Sequence, residues 1–87
     1  MREFQNYKGF LILEISRQEM IDKLAEYGCL GICDFCGKST GNGLYVAVLN
    51  KWLCPDCFYE WYVRAKRYIE DIPIEERNYK YYKSLFQ

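Results

Sequence analysis

Residues 33–40 read CDFCGKST, and two chemistries compete for those eight letters. In one reading GKST, residues 37–40, is the tail of a phosphate-cradling loop. In the other, CDFCG, residues 33–37, is a tight turn that delivers two thiolates to a metal. A Walker-type loop needs a glycine five positions before the glycine of GK, so that successive backbone N–H groups can wrap the phosphates. Position 32 is isoleucine. Such a loop also opens a helix, whereas Gly41-Asn42-Gly43 follows here and would stop one. No nucleotide site is expected.

The metal reading accounts for more of the chain. Cys33 and Cys36 are matched by Cys54 and Cys57 across 17 intervening residues, within the C-x2-C-x15-20-C-x2-C spacing of a tetrahedral zinc site. A two-residue gap lets the chain turn tightly enough for both sulfurs to reach one ion at about 2.3 Å. Gly37 supplies a permissive backbone after the second ligand. Cys54-Pro55-Asp56-Cys57 opens a helix with proline at its first position, where a missing N–H costs nothing. Thiolates there face the helix N-terminus, which favours negative charge. The expected cofactor is one structural Zn2+ held by Cys33, Cys36, Cys54 and Cys57. A redox C-x-x-C is not favoured, because neither pair sits in a βαβ pattern.

Working outward, Asn42-Gly43 marks a turn, Leu44 to Leu49 a strand, Asn50-Lys51 a second turn and Trp52-Leu53 a short strand, which together make a hairpin. The helix from Cys54 is expected to be the longest, with a stripe of Phe58, Trp61, Tyr62, Ala65, Tyr68 and Ile69. Pro73 interrupts it. Ile74, Asn78, Tyr81, Tyr82 and Leu85 then predict a short final helix packed back on the domain. Upstream, Lys8 to Ile15 reads as a strand covered on both faces, with Phe10 and Ile12 on one side and Leu11, Leu13 and Ile15 on the other. Ser16 and Glu19 form a capping box, with Ile15 and Met20 as a hydrophobic staple. Met20, Ile21 and Leu24 form the stripe of that helix, and Gly28 stops it.

This order, a C-x-x-C turn, a hairpin and a helix opening with C-x-x-C, resembles the treble-clef zinc fingers. Within that class Cys33-Asp34-Phe35-Cys36-Gly37-Lys38-Ser39 and Trp52-Leu53-Cys54-Pro55-Asp56-Cys57 look most like the N-terminal zinc-binding domains of Clp protease ATPase subunits. The first knuckle of that family has the form C-x-F-C-G-K-S. The resemblance covers residues 33 to about 70. It implies zinc, a treble clef, dimerisation, and docking of substrates or adaptors rather than catalysis. The family's ATPase domain has no counterpart in these residues, so no unfoldase activity is expected. The expected fold is a small zinc-stabilised α+β domain, residues 1–87, with a strand-helix extension at 1–32, the treble-clef finger at 33–71 and a helical tail at 72–87.

Composition agrees with a metal staple. A chain of 87 residues buries only about 60% of its unfolded surface, so the core is marginal without one. Hydrophobic residues make up 51% and aromatics 18%, enough to fill a compact interior. Five cysteines without a secretory leader favour reduced thiols over a disulfide framework. Cys29 reads as a small buried hydrophobe rather than a substitute ligand. The apolar run from Gly9 to Leu13 is far shorter than the roughly 18 residues of a membrane span, and the chain is expected to be cytoplasmic.

Twelve basic residues balance twelve acidic ones, so no overall field draws polyanions or membranes. Arg64, Lys66 and Arg67, with Lys80 and Lys83, form the best basic cluster, but Glu60, Glu70, Asp71, Glu75 and Glu76 are interleaved with it. A nucleic-acid role is therefore the alternative, behind a protein-interaction role carried by Tyr59 and Val63 on an exposed face of the helix or by self-association. No catalytic residue is expected. The chain has no histidine, and four thiolates leave no open metal position for water.

Overall fold

Alternation along residues 10–15 sends Phe10 and Ile12 to one side of the backbone and Leu13 and Ile15 to the other, and the sheet is built around that strand. A computed structural model describes residues 1–28 and 31–86; the expectation for Cys29 lies outside the described residues. Among them, β1 (Arg2–Glu3), β2 (Ile12–Ser16), β3 (Asn42–Val46) and β4 (Lys51–Leu53) form an antiparallel sheet in the order β1-β2-β3-β4. Three α-helices pack on it, α1 (Arg17–Leu24), α2 (Pro55–Arg64) and α3 (Ile72–Ser84). The expected α+β class holds. The strand expected upstream of the cysteine pairs, β2, is interior to the sheet, pairing with β1 at Arg2↔Glu14 and with β3 at Leu13↔Tyr45.

Both sheet faces are covered, as expected. On one, Phe10, Ile12, Leu44, Val46 and Leu53 meet Phe58 and Tyr62 of α2 together with Cys33, Cys54 and Cys57. On the other, Leu13, Ile15, Tyr45 and Trp52 meet Met20 and Leu24 of α1, with Tyr79, Tyr82, Leu85 and Phe86 of the C-terminal segment packed alongside. The Tyr45 and Tyr82 rings stack at 3.7 Å between centroids. The capping box at Ser16 and Glu19 is present in both directions, at 3.1 Å and 3.0 Å. Gly28 sits at φ 86°, a conformation that stops the helical run.

Several local expectations are corrected. The strand begins at Ile12 rather than Lys8, because Gly9 bends the chain at φ 80° and the Asn6 side chain bonds both backbone groups of Phe10, at 3.1 Å and 2.8 Å. Asn42-Gly43 is not a turn but the start of β3, opposite Ser16 and Ile15. A Cβ on Gly43 would lie 2.4 Å from the Trp52 ring, which crosses that position so that its indole N–H donates to the Ile15 carbonyl at 3.1 Å. The glycine serves ring packing, and the turn falls at residues 47–50 instead, closed by Asn50 at φ 53° with its Oδ1 accepting from the Tyr45 hydroxyl at 2.6 Å. Consequently β3 ends at Val46 rather than Leu49, and Lys51 belongs to β4.

The remaining corrections concern the helices. α2 stops at Arg64, and Tyr68 and Ile69 of its expected stripe are exposed. The backbone leaves the helix at Ala65, at ψ 142°, and the Lys8 ammonium donates to the carbonyls of Tyr62 and Ala65, satisfying acceptors left open at that end. α3, at 13 residues, is longer than α2 at 10, and Pro73 lies in its first turn rather than interrupting anything. Its inward face is also rotated from expectation: Ile74 and Tyr81 are exposed, while Glu75 is 1% exposed. The buried Glu75 carboxylate accepts from the Leu11 N–H at 3.0 Å and from Arg67 at 2.7 Å, so its charge is paired and hydrogen-bonded. Asn78, one turn on, donates to the Ala47 carbonyl at 2.9 Å.

Replacing Gly43 with alanine is expected to destabilise the fold by about 1–3 kcal/mol, since the Trp52 ring and the Leu53 carbonyl leave the methyl no room. Gly41→Ala, with nothing within 4 Å, is the matched control and should change the urea midpoint little.

Candidate metal centre

Each cysteine is placed by its own local structure. Cys33 enters a tight turn in which Gly37 N–H donates to the Cys33 carbonyl at 3.0 Å and Cys33 N–H to the Lys38 carbonyl at 2.9 Å. An isolated bridge between Ile32 and Ser39 closes the base. Gly37 reaches φ 78°, the left-handed conformation that a residue with Cβ adopts at a cost. GKST is thus the return limb of this turn and leads into β3 rather than a helix. Cys54 occupies the N-cap of α2, Pro55 follows in the first turn, and Cys57 lies on that same turn facing the sheet.

The two turns converge. The sulfurs of Cys33, Cys36, Cys54 and Cys57 all lie within 4.8 Å of one another. Cys36 and Cys54 are 3.8 Å apart, matching the edge of about 3.8 Å of a tetrahedron with metal–sulfur arms of about 2.3 Å. Cys33, Cys54 and Cys57 are buried and Cys36 is exposed. The four cysteines are positioned to hold a metal ion.

Electrostatics inside the cluster oppose full ionisation in the absence of a cation. Burial raises the Cys33 thiol, but hydrogen bonds from the backbone of Cys36, Cys54 and Phe35 and from the Cys36 thiol outweigh it and bring Cys33 down to about 6. Two of those donors are resolved, the N–H groups of Phe35 at 3.4 Å and Cys36 at 3.5 Å. Cys57 moves the opposite way, pushed up by burial, by hydrogen bonds to the other three sulfurs and by the charge on Cys33. One thiolate forms readily and then opposes its neighbours. Four thiolates within 4.8 Å are compatible only with a positive ion at their centre.

One residue that holds the site escaped sequence reasoning. Asp34 donates its N–H to the Trp52 carbonyl at 2.9 Å and accepts the Trp52 N–H on Oδ2 at 2.8 Å, locking the first turn onto β4 two residues before Cys54. Nothing local signals this contact, which joins residues 18 apart. Beside the centre, Phe35, Leu49, Leu53, Cys57 and Trp61 line a pocket of about 150 Å³ together with Lys51, Glu60 and Arg64. Tyr59 and Val63, expected on an outer face of α2, are 68% and 58% exposed. The expected basic cluster is partly neutralised: Arg67 pairs with Glu75 and Lys83 with Glu3, both at 2.7 Å. No helix among the described residues is long and apolar enough to cross a membrane.

Comparison with models of known families, with curated proteins and with solved structures found no match. The likeness to treble-clef and Clp-type domains therefore rests on the two cysteine pairs and their flanking residues.

Metal affinity should fall as pH falls, because binding must expel the proton that the cluster holds on Cys57, and below about pH 6 Cys33 also takes one up. A cobalt titration read by the thiolate-to-metal charge-transfer band tests this. Asp34→Ala should weaken metal binding about 10–100-fold, the effect of losing an outer-shell anchor, in a chelator competition assay.

Proposed function

We propose that this chain is a non-catalytic protein-interaction module whose four cysteines hold one structural zinc ion in a treble-clef-type finger. The convergence of four sulfurs within 4.8 Å from two turns carries this reading. An all-sulfur tetrahedral set without histidine suits zinc, and four thiolates fill its coordination sphere, so the ion's role is to hold the fold. Structural zinc in finger peptides contributes about 10–16 kcal/mol, as much as the whole stability of an ordinary domain.

The interaction role is supported by apolar surface left outside the two cores. Tyr59 and Val63 lie one turn apart on α2, and Phe35 projects from the first cysteine turn at 68% exposure. Clustered exposed apolar side chains among charged ones mark protein contact sites. A nucleic-acid role has less support: Arg64 and Lys66 stand without ion pairs among the described residues, but Arg67 and Lys83 are taken and the net charge is zero. Binding to nucleic acid would appear at about 50 mM salt and fall steeply as salt rises.

Elemental analysis of purified protein should give one zinc, and no iron, per chain, and chelation should abolish the near-UV circular dichroism of the packed aromatics. The double change Tyr59→Ala, Val63→Ala should leave zinc content and fold intact while removing the partner that copurifies from the native cell. A partner retained by that variant would place the contact elsewhere.

A further inference from the structure

The four sulfurs are not equally accessible. Cys33, Cys54 and Cys57 are 2%, 7% and 9% exposed, whereas Cys36 is open to solvent. Cys33 is further occupied by the N–H groups of Phe35 and Cys36. An oxidant arriving from solvent meets Cys36 first. Its sulfur lies 3.8 Å from that of Cys54, against about 2.05 Å in a disulfide. Cys36 belongs to an exposed turn, so closing that gap calls for a movement of the turn or of the side chain.

We propose that Cys36 and Cys54 form a redox pair across the metal centre, through which a peroxide releases the metal and joins the two cysteine turns covalently. This rests on the zinc reading above. The Cys36 thiolate attacks hydrogen peroxide and breaks its O–O bond; one oxygen stays on sulfur as a sulfenic acid and the other leaves as hydroxide. The Cys54 thiolate then attacks the Cys36 sulfur, forming the S–S bond and expelling the second oxygen as hydroxide. The two thiolates give up two electrons, the peroxide accepts them, and two solvent protons turn the hydroxides into water. Cys33 and Cys57 alone are too few to retain a tetrahedral ion.

The choice of pair matters for what remains. A bond within either C-x-x-C pair would leave no covalent link between the first turn and α2 once the metal is gone, only the hydrogen bonds of Asp34 to Trp52. A bond between Cys36, ahead of the hairpin, and Cys54, at the start of α2, keeps them together.

The test uses the full chain, with zinc content measured first. Hydrogen peroxide in modest excess is added, zinc release is followed with a chromogenic chelator, and disulfides are located by mass spectrometry of unreduced peptides. Loss of one zinc for each Cys36–Cys54 bond formed, reversed by dithiothreitol and added zinc, is expected. Retention of zinc at that excess, or predominance of Cys33–Cys36, Cys54–Cys57 or any bond to Cys29, overturns the pair while leaving the zinc reading intact. A chain that carries no zinc before oxidant overturns both.

Discussion

Four sulfur atoms drawn to within 4.8 Å by two separate turns are the constraint on which the rest of this molecule depends. Three of them also belong to the core on that face of the sheet, in contact with the side chains of β2, β3, β4 and α2. The site is therefore not an appendage to a finished fold. An ion at its centre would act on the interior directly, relieving the mutual repulsion of the thiolates and fixing the position of α2 against the sheet.

The opposite face of the sheet holds together by other means. There α1 and α3 cover β2, β3 and β4 through aromatic stacking and through polar groups that are buried with their partners. Glu75 is the clearest example. Its carboxylate joins α3 to the backbone of Leu11 and to Arg67, so one side chain ties three distant segments. Removal of one partner would leave a charge stranded in the interior, which costs several kcal/mol. The two faces thus combine a four-cysteine cluster on one side with hydrocarbon packing and a satisfied ion pair on the other.

What could be read from the sequence follows the range of the interactions concerned. The cysteine pairs, the Ser16–Glu19 capping box, the two-faced strand and Pro55 at the start of α2 all express themselves within a few residues, and all are present. The misreadings have distant causes. The early end of α2 is capped by Lys8, 54 residues from Tyr62, whose ammonium takes the Tyr62 carbonyl. On α3, hydrophobicity alone puts a glutamate outside, whereas Arg67 and the Leu11 N–H make burial of Glu75 favourable. Gly43 carries two possible meanings, a turn or room for a ring, and only the position of Trp52 selects between them. Asp34 gives no local sign of its bonds to Trp52.

Those bonds have one further effect. Trp52 is the middle residue of β4, one of the two edge strands, and Asp34 occupies both main-chain groups that it turns away from the sheet. A strand border left bare is a template for another chain, and natural proteins cover such borders to remain dispersed. The cysteine turn that carries Asp34 therefore also covers this rim of the sheet, so the same eight residues bring two of the four sulfurs to the cluster and close a border open to strand addition.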